Sequence, residues 1–96
     1  MSPKIHPGRI LKKELEARAI TQRAFSKLIK KSEVEISDII AGRRNITADL
    51  AMRFEAALDT PADSWLTMQQ QYDLAAFRNS KDKLKIFTAI RELAQV

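Results

Sequence analysis

Residues 21–47 contain a closely spaced series of helix start and stop signals, which leaves room only for short helices. Thr21 is a favourable N-cap, and Ser32, with a glutamate three residues later, has the pattern of a capping box. Gly42 follows a second apolar stripe, at a point where a left-handed residue can end a helix. Thr47 is then a third favourable N-cap. The series predicts two short helices joined by a tight turn, with another helix directly after them.

The rest of the chain also favours helices over strands. Apolar residues recur at three- and four-residue spacing, which predicts helices over residues 7–18, 61–76 and 81–93. No strand-like alternation and no hairpin turn is present. We therefore expect an all-α fold of five or six helices. Ninety-six residues fit one domain, with the pair of short helices at about 21–42 and C-terminal helices for packing and dimerisation at about 61–94.

The composition excludes several classes of function. The chain has no cysteine and a single histidine, so neither a thiolate metal site nor a Cys–His nucleophile pair can form. That histidine, His6, is expected to be solvated near the terminus. Only two glycines are present, and no glycine-rich phosphate loop can be built from them. We expect no enzyme activity, no metal and no cofactor, and a small hydrolase is the weakest of the functional hypotheses.

Hydropathy and charge indicate the compartment and the kind of partner. No apolar run approaches the ~20 residues that a membrane-spanning helix needs, and no signal peptide is apparent, so a cytoplasmic protein with no membrane partner is expected. The net charge of +5 is uneven, because residues 1–31 carry nine Lys and Arg against two Glu, a balance of +7. A basic N-terminal third suits a polyanion such as DNA. An ordinary solvated helix face would explain the charge equally well.

Two short helices joined by a tight turn form a helix-turn-helix, which places its second helix in the major groove of DNA. The start of the first helix lies against the DNA backbone, where an amide and a guanidinium can bind phosphate oxygens. Two adjacent arginines after the second helix can clamp phosphates beside the groove. The predicted phosphate-binding residues are Gln22, Arg23, Arg43 and Arg44.

Base reading would fall to the outward face of the second helix, whose inward face is set by Ile36 and Ile39. A carboxylate can accept a hydrogen bond from cytosine N4, a valine can contact a thymine methyl group, and a serine can bond to several base edges. The predicted base-reading residues are Val34, Glu35, Ser37 and Asp38, and Glu33 and Ala41 share their face. Because this face is acidic, the alternative is a structural helix that reads no bases. In that case the protein is an interaction module with a degenerate helix-turn-helix, which binds a partner protein but not DNA specifically.

The region after residue 61 holds more large apolar side chains than a DNA-binding core of three helices can cover. A surplus of this kind predicts a two-fold dimer interface. A dimer would also present two copies of the second helix to half-sites ~34 Å apart. Packing in the core is the alternative for Trp65 and Tyr72. The predicted interface residues are Trp65, Leu66, Tyr72, Phe77, Leu84 and Phe87.

Several motifs together resemble the HigA antitoxin family, within the phage-repressor (Cro/repressor, or XRE) class of helix-turn-helix proteins. They are His-Pro-Gly at 6–8, Gly-Arg-Arg-Asn-Ile-Thr at 42–47, Trp-Leu at 65–66 and Tyr-Asp-Leu at 72–74. The resemblance spans about residues 5–76. It implies a bacterial homodimer that represses its own operon through a palindromic operator and neutralises a partner toxin, a RelE-like (HigB-like) ribonuclease. It also implies that the phosphate-binding and base-reading residues predicted above contact double-stranded DNA.

The turn departs from the family pattern. Family members commonly have a glycine and then an apolar residue where this chain has Lys30 and Lys31. Because a lysine in the left-handed conformation is uncommon, the comparison predicts a turn of a different shape.

Overall fold

The structure is a computed structural model, and it describes residues 4–95. Six α-helices follow one another through short connections: α1 (Pro7–Ala17), α2 (Gln22–Ile29), α3 (Glu33–Ile40), α4 (Ala48–Leu58), α5 (Ala62–Arg78) and α6 (Lys81–Ala94). No β-strand is present in that part of the chain. The predicted all-α fold is confirmed, and the predicted helices begin and end within about two residues of the observed ones.

The short helices begin where the sequence places capping side chains. The Thr21 hydroxyl oxygen accepts a hydrogen bond from the backbone N–H of Ala24 at 3.0 Å, at the start of α2. At the start of α3, Ser32 accepts one from the N–H of Glu35 at 3.1 Å. Thr47 accepts the equivalent bond at the start of α4, at 3.3 Å. Each bond satisfies an N–H group that a helix start leaves unpaired, so these three starts are set by local contacts.

The turn between α2 and α3 forms without glycine. Lys30 lies in the left-handed region, at φ 60° and ψ 47°, and the Lys31 N–H donates to the Ser26 carbonyl at 2.9 Å. A left-handed residue with such a return bond is a common way to end a helix. Lys30 therefore adopts the conformation that a glycine would adopt more easily. Lys31 follows in the turn, and its side chain lies beside Glu35 of α3 and Asp49 of α4.

The core lies among α1 to α5 and is centred on three aromatic rings. Phe54 lies between the other two, with ring centroids 5.6 Å from Phe25 and 5.2 Å from Trp65. All three side chains are fully buried, and aromatic pairs at this spacing stabilise a core beyond the area that they bury. The surrounding aliphatic residues are Leu11, Leu15, Ile29, Ile36, Ile39, Ile46, Leu50 and Leu58.

α1 and α3 make a very close contact at Gly8. A Cβ atom added to Gly8 would lie 2.7 Å from the carbonyl carbon of Ile39 and nearer still to its oxygen. Only a glycine lets two backbones approach to this distance. The contact holds the C-terminal end of α3 against the start of α1, directly before the loop that carries Arg43 and Arg44.

α6 stands apart from the core. It contacts the end of α5, and none of its side chains is buried. The molecule is 54 Å long but only 22 and 21 Å across, because the end of α5 and the whole of α6 extend beyond the core. Within residues 4–95, no helix is both long enough and apolar enough to cross a membrane.

Candidate nucleic-acid interface

α3 is held so that one side faces the core and the other faces solvent. Ile36 and Ile39 are fully buried, which directs the opposite side of the helix outward. Val34 is the most exposed of the predicted base-reading residues, at 69%. The other three are half-buried: Glu35, Ser37 and Asp38. The accessible side of α3 therefore includes all four residues predicted to read bases.

The predicted phosphate-binding residues lie at the two ends of the segment that contains α2 and α3. Arg23 is exposed at the start of α2, where Gln22 is half-buried as the first helical residue. Arg43 and Arg44 are exposed in the loop after α3. Gly42 opens this loop with φ +80°, in the left-handed conformation that its position predicted. One arginine thus precedes α3 and two follow it, all with accessible side chains.

Two ion pairs offset the acidic character of α3. The Asp38 carboxylate accepts hydrogen bonds from Arg43 Nε at 3.2 Å and Nη2 at 3.0 Å. Lys31 Nζ lies 3.8 Å from a carboxylate oxygen of Glu35. Glu33 takes part in no ion pair in the described part of the chain. Because two of these three carboxylates have a cationic neighbour, the outward side of α3 repels phosphate less than its sequence indicates.

A second cluster of charges ties the turn to α4. Lys31 Nζ lies 3.1 Å from a carboxylate oxygen of Asp49, and Arg53 Nε lies 3.0 Å from the same oxygen. Arg53 also donates from Nη1 to the Ile29 carbonyl at 2.7 Å, at the end of α2. The hydrogen bonds from Lys31 and then Arg53 lower the pKa of Asp49 below its ordinary value. No sequence pattern indicated this cluster, because the turn and α4 are well separated in the chain.

The predicted dimer-interface residues separate into buried and exposed groups. Trp65 has no exposed surface and packs on Phe54 in the core, so its assignment to a dimer interface is wrong. The reason is that the first half of α5 packs along α4 and turns Trp65 inward. Leu66 and Tyr72 are half-buried. The residues that stay accessible lie at the end of α5 and on α6: Phe77, Leu84 and Phe87.

His6 is buried, so the prediction that it is solvated is wrong. It is only 8% exposed, and it caps α1 because its Nδ1 accepts a hydrogen bond from the Gly8 N–H at 2.9 Å. Its ring packs edge-on against Tyr72, with centroids 4.9 Å apart. Since Nδ1 is an acceptor, the proton of the neutral imidazole lies on Nε2, which is buried without a hydrogen-bond partner among the described residues. Protonation would remove the cap and place a cation at the positive end of α1.

Folding stability is therefore expected to fall in mild acid because of His6. Burial lowers the pKa of His6, and Asp73 opposes this with a smaller effect. The unfolded chain then binds the proton more readily, so the stability that His6 contributes is present above its ordinary pKa of 6.5 and is lost as pH falls below it. Urea melts should show that the free energy of unfolding falls more between about pH 7.5 and about pH 5 for the wild type than for His6→Asn. Asparagine can still cap the helix, but it does not titrate. Equal losses would contradict this role.

Comparison with known proteins defines the class. Residues 11–65 match the family model described as Helix-turn-helix. That span contains α2, the turn and α3, and it covers more than half of the chain. The protein belongs to the helix-turn-helix family.

More specific relatives place it within that class. The antitoxin HigA of Pseudomonas aeruginosa, solved with the higBA promoter, is 38% identical and has a TM-score of 0.73, covering 76% of this chain and 80% of that one. An addiction module antidote protein of a HigA family from Coxiella burnetii is 33% identical and has a TM-score of 0.77, covering 88% of this chain and 94% of that one. Virulence-associated protein I of Dichelobacter nodosus is 38% identical over 85 residues, which are 88% of this chain and 79% of that protein. Within the helix-turn-helix family, the chain is of the HigA antitoxin type, as its motifs predicted.

Proposed function

We propose that the protein is a dimeric DNA-binding autorepressor and antitoxin, which binds a palindromic operator and neutralises a RelE-like or HigB-like toxin. The observation that carries the DNA-binding part is the accessible side of α3, whose start is capped by Ser32 and which is followed directly by two exposed arginines, Arg43 and Arg44. The Pseudomonas aeruginosa relative, which was solved with the higBA promoter, supports the same assignment.

The chemistry of this surface suits a helix in the major groove. Val34 and Ser37 have short side chains, so α3 can approach base edges closely enough to contact a thymine methyl group and a hydrogen-bonding atom. Arg23 and Arg44 can bind phosphates and hold the helix in position. Gln22, at the first position of α2, can do the same with its amide. Base contacts then provide the sequence preference, and the phosphate contacts provide most of the affinity.

The dimer is proposed from the apolar surface that one copy leaves exposed. At the end of α5 and along α6, large apolar side chains have exposures from 37% to 77%. On α6 they lie three or four residues apart, so they form an apolar band around about half of the helix circumference. A second copy related by a two-fold axis would cover the same residues on both helices and bring two α3 helices to the halves of a palindrome. These residues are Leu74, Phe77, Leu84, Ile86, Phe87, Ile90 and Leu93.

Affinity for the DNA upstream of its own gene should exceed affinity for a random duplex and should fall steeply as salt is added. Each phosphate neutralised by a basic side chain releases a counterion, so the logarithm of affinity falls linearly with the logarithm of salt concentration. Arg44→Ala should weaken binding to both duplexes and make this slope shallower by about one unit. Fluorescence anisotropy over a salt series measures both quantities. Lys81→Ala removes one positive charge from α6 instead, and it should leave the slope unchanged.

The alternative is an interaction module that binds a partner protein but no specific DNA sequence. It is favoured by Glu33, an exposed carboxylate at the start of α3 that no cation neutralises in the described residues. The same titrations decide between the two functions. Equal affinity for the upstream and random duplexes at moderate salt would support the interaction module, and a clear preference for the upstream duplex would exclude it.

The antitoxin part needs its own experiment. If a toxin-sized reading frame lies beside this gene, expression of its product alone should arrest growth, and co-expression of this protein should restore it. The two proteins should then purify as one complex. Growth that stays arrested despite soluble expression of this protein would contradict the antitoxin function without affecting the proposal for DNA binding.

A further inference from the structure

Asp38 and Arg43 are joined by side-chain and backbone hydrogen bonds at the end of α3. Arg43 donates from Nε and Nη2 to Asp38 Oδ1, at 3.2 and 3.0 Å. Its backbone N–H donates to the Asp38 carbonyl at 2.8 Å. The backbone bond fixes where the side chain of Arg43 begins, and the side-chain bonds fix where its guanidinium lies. The Arg43 side chain nevertheless remains 65% exposed, against 27% for Asp38.

This ion pair leaves one edge of the guanidinium free. Arginine has five N–H donors, and Asp38 occupies one on Nε and one on Nη2. Both donors on Nη1 and the second donor on Nη2 remain available. The Nη1 and Nη2 donors form a planar fork that matches two oxygens of a phosphate. Asp38 therefore holds the guanidinium in place and leaves its phosphate-binding edge accessible.

Arg44 provides a contrast within the same loop. Its side chain is exposed and makes no hydrogen bond or ion pair to any residue in the described range. A free arginine must lose conformational freedom when it binds a phosphate, and this loss weakens the contact. Arg43 has already lost much of that freedom in the unbound protein, so its contact with DNA carries a smaller entropic cost.

We propose that Asp38 is a positioning residue for Arg43 and not a base-reading residue, and that Arg43 makes a bidentate contact to one DNA phosphate beside the end of α3. The proposal rests on the DNA-binding function proposed above and assigns separate roles to two residues of that surface. Because Asp38 lies in the last turn of α3 and is bonded directly to Arg43, the phosphate contact sets how deeply this helix enters the groove. With its charge offset by Arg43, Asp38 does not repel that phosphate.

Two other roles for the pair lead to different results. If Asp38 reads a base, its replacement changes the base preference whether or not Arg43 is present. If Asp38 withholds Arg43 from DNA, its replacement strengthens binding more when Arg43 is present than when it is absent. A positioning role has the opposite consequence, because only a protein that contains Arg43 loses anything when Asp38 is removed.

The experiment is a double-mutant cycle on the full chain, with Asp38→Ala, Arg43→Ala and the double variant. Affinity is measured for the duplex upstream of its own gene and for a random duplex. Removal of any carboxylate near DNA strengthens binding by reducing repulsion, so Glu33→Ala, alone and together with Arg43→Ala, is the matched control for that general effect. Asp38 and Glu33 lie outside the core, and thermal melts check that each variant is folded.

We expect Arg43→Ala to weaken binding to both duplexes by about 10-fold or more, as for the loss of a charge-assisted hydrogen-bond pair. Asp38→Ala should change DNA affinity less favourably when Arg43 is present than in the Arg43→Ala background, and the two changes should differ by a factor of about 3 to 10. This factor corresponds to the ordering of one flexible side chain. Glu33→Ala should have the same effect in both backgrounds. Single base-pair changes in the upstream duplex should be tolerated alike by the wild type and by Asp38→Ala.

Three outcomes would overturn the proposal. In the first, Asp38→Ala affects DNA affinity more favourably when Arg43 is present than when it is absent. In the second, its effect on affinity is the same in both backgrounds. In the third, Asp38→Ala changes the base preference, and the change persists in the Arg43→Ala background. Failure of the proposed function looks different, because the wild type would then bind the upstream and random duplexes equally well. The cycle on the random duplex would still determine the role of Asp38, since a phosphate contact does not depend on sequence.

Discussion

Gly8→Ala should destabilise the protein by about 3 kcal/mol or more, at the upper end of what a side chain forced into a packed contact costs. The added Cβ would lie 2.7 Å from the Ile39 carbonyl carbon and closer still to the oxygen. Both are backbone atoms of α3 and cannot rotate away, so α1 and α3 would have to separate. That movement would also release the His6 cap, whose donor is the Gly8 N–H. Urea melts followed by circular dichroism measure the loss.

Gly42→Ala is the matched control for this substitution. Gly42 has φ +80°, and a Cβ there would come no closer than 3.8 Å to the ring of His6. Its replacement should therefore cost only the strain of a left-handed alanine, about 1 to 2 kcal/mol. If the Gly8→Ala variant proves as stable as the Gly42→Ala variant, α1 and α3 do not approach each other as closely as in the structure.

Phe87→Glu should convert the proposed dimer into a monomer and abolish tight operator binding. Full burial of a phenylalanine side chain contributes about 1.5–3 kcal/mol, and a two-fold interface contains each residue twice. The dimer dissociation constant should therefore rise by at least about 100-fold, and the two buried carboxylates would add to this. A monomer presents a single α3, so the affinity for a palindromic site should fall toward that for random DNA. Sedimentation velocity at micromolar concentration and anisotropy titrations measure the two effects.

Lys85→Glu introduces the same side chain on another face of α6. Lys85 is exposed like the rest of α6, and no residue of the proposed interface lies three or four positions from it, which is the spacing of neighbours on a helix. This variant should remain dimeric and keep its preference for the upstream duplex. A wild-type protein that sediments as a monomer of about the 10.9 kDa chain mass would rule out the interface before either substitution is made.

The two predictions concern different parts of the molecule. Gly8 lies in the packed body formed by α1 to α5, where it fixes the position of α3. Phe87 lies on α6, which has no buried side chain and contributes little to that body. We therefore expect Phe87→Glu to leave the fold of each copy intact, and Gly8→Ala to weaken the fold without altering the α6 surface.

The helix-turn-helix could be recognised from the sequence because its signals act over a few residues. The Thr21, Ser32 and Thr47 caps each bond to a backbone N–H three positions along the chain. A residue type at one position is therefore sufficient to predict each helix start. The outward side of α3 also followed from sequence, because Ile36 and Ile39 define its inward side through the helical period. The Asp38–Arg43 pair is separated by only five residues, and a carboxylate shortly before an arginine across a helix end was a signal that could have been used.

Other features of the candidate site were decided only by the tertiary structure. Trp65 is of a residue type that is common at interfaces, but the packing of α5 on α4 placed it in the core with Phe54. His6 lies near the N-terminus, where a solvated side chain was predicted, but Tyr72 of α5 packs against its ring. The link from Lys31 to Asp49 joins the turn to α4 through space. Such contacts depend on which helix faces which, and that depends on the burial of the whole apolar surface at once, whereas caps and helical periodicity depend on near neighbours alone.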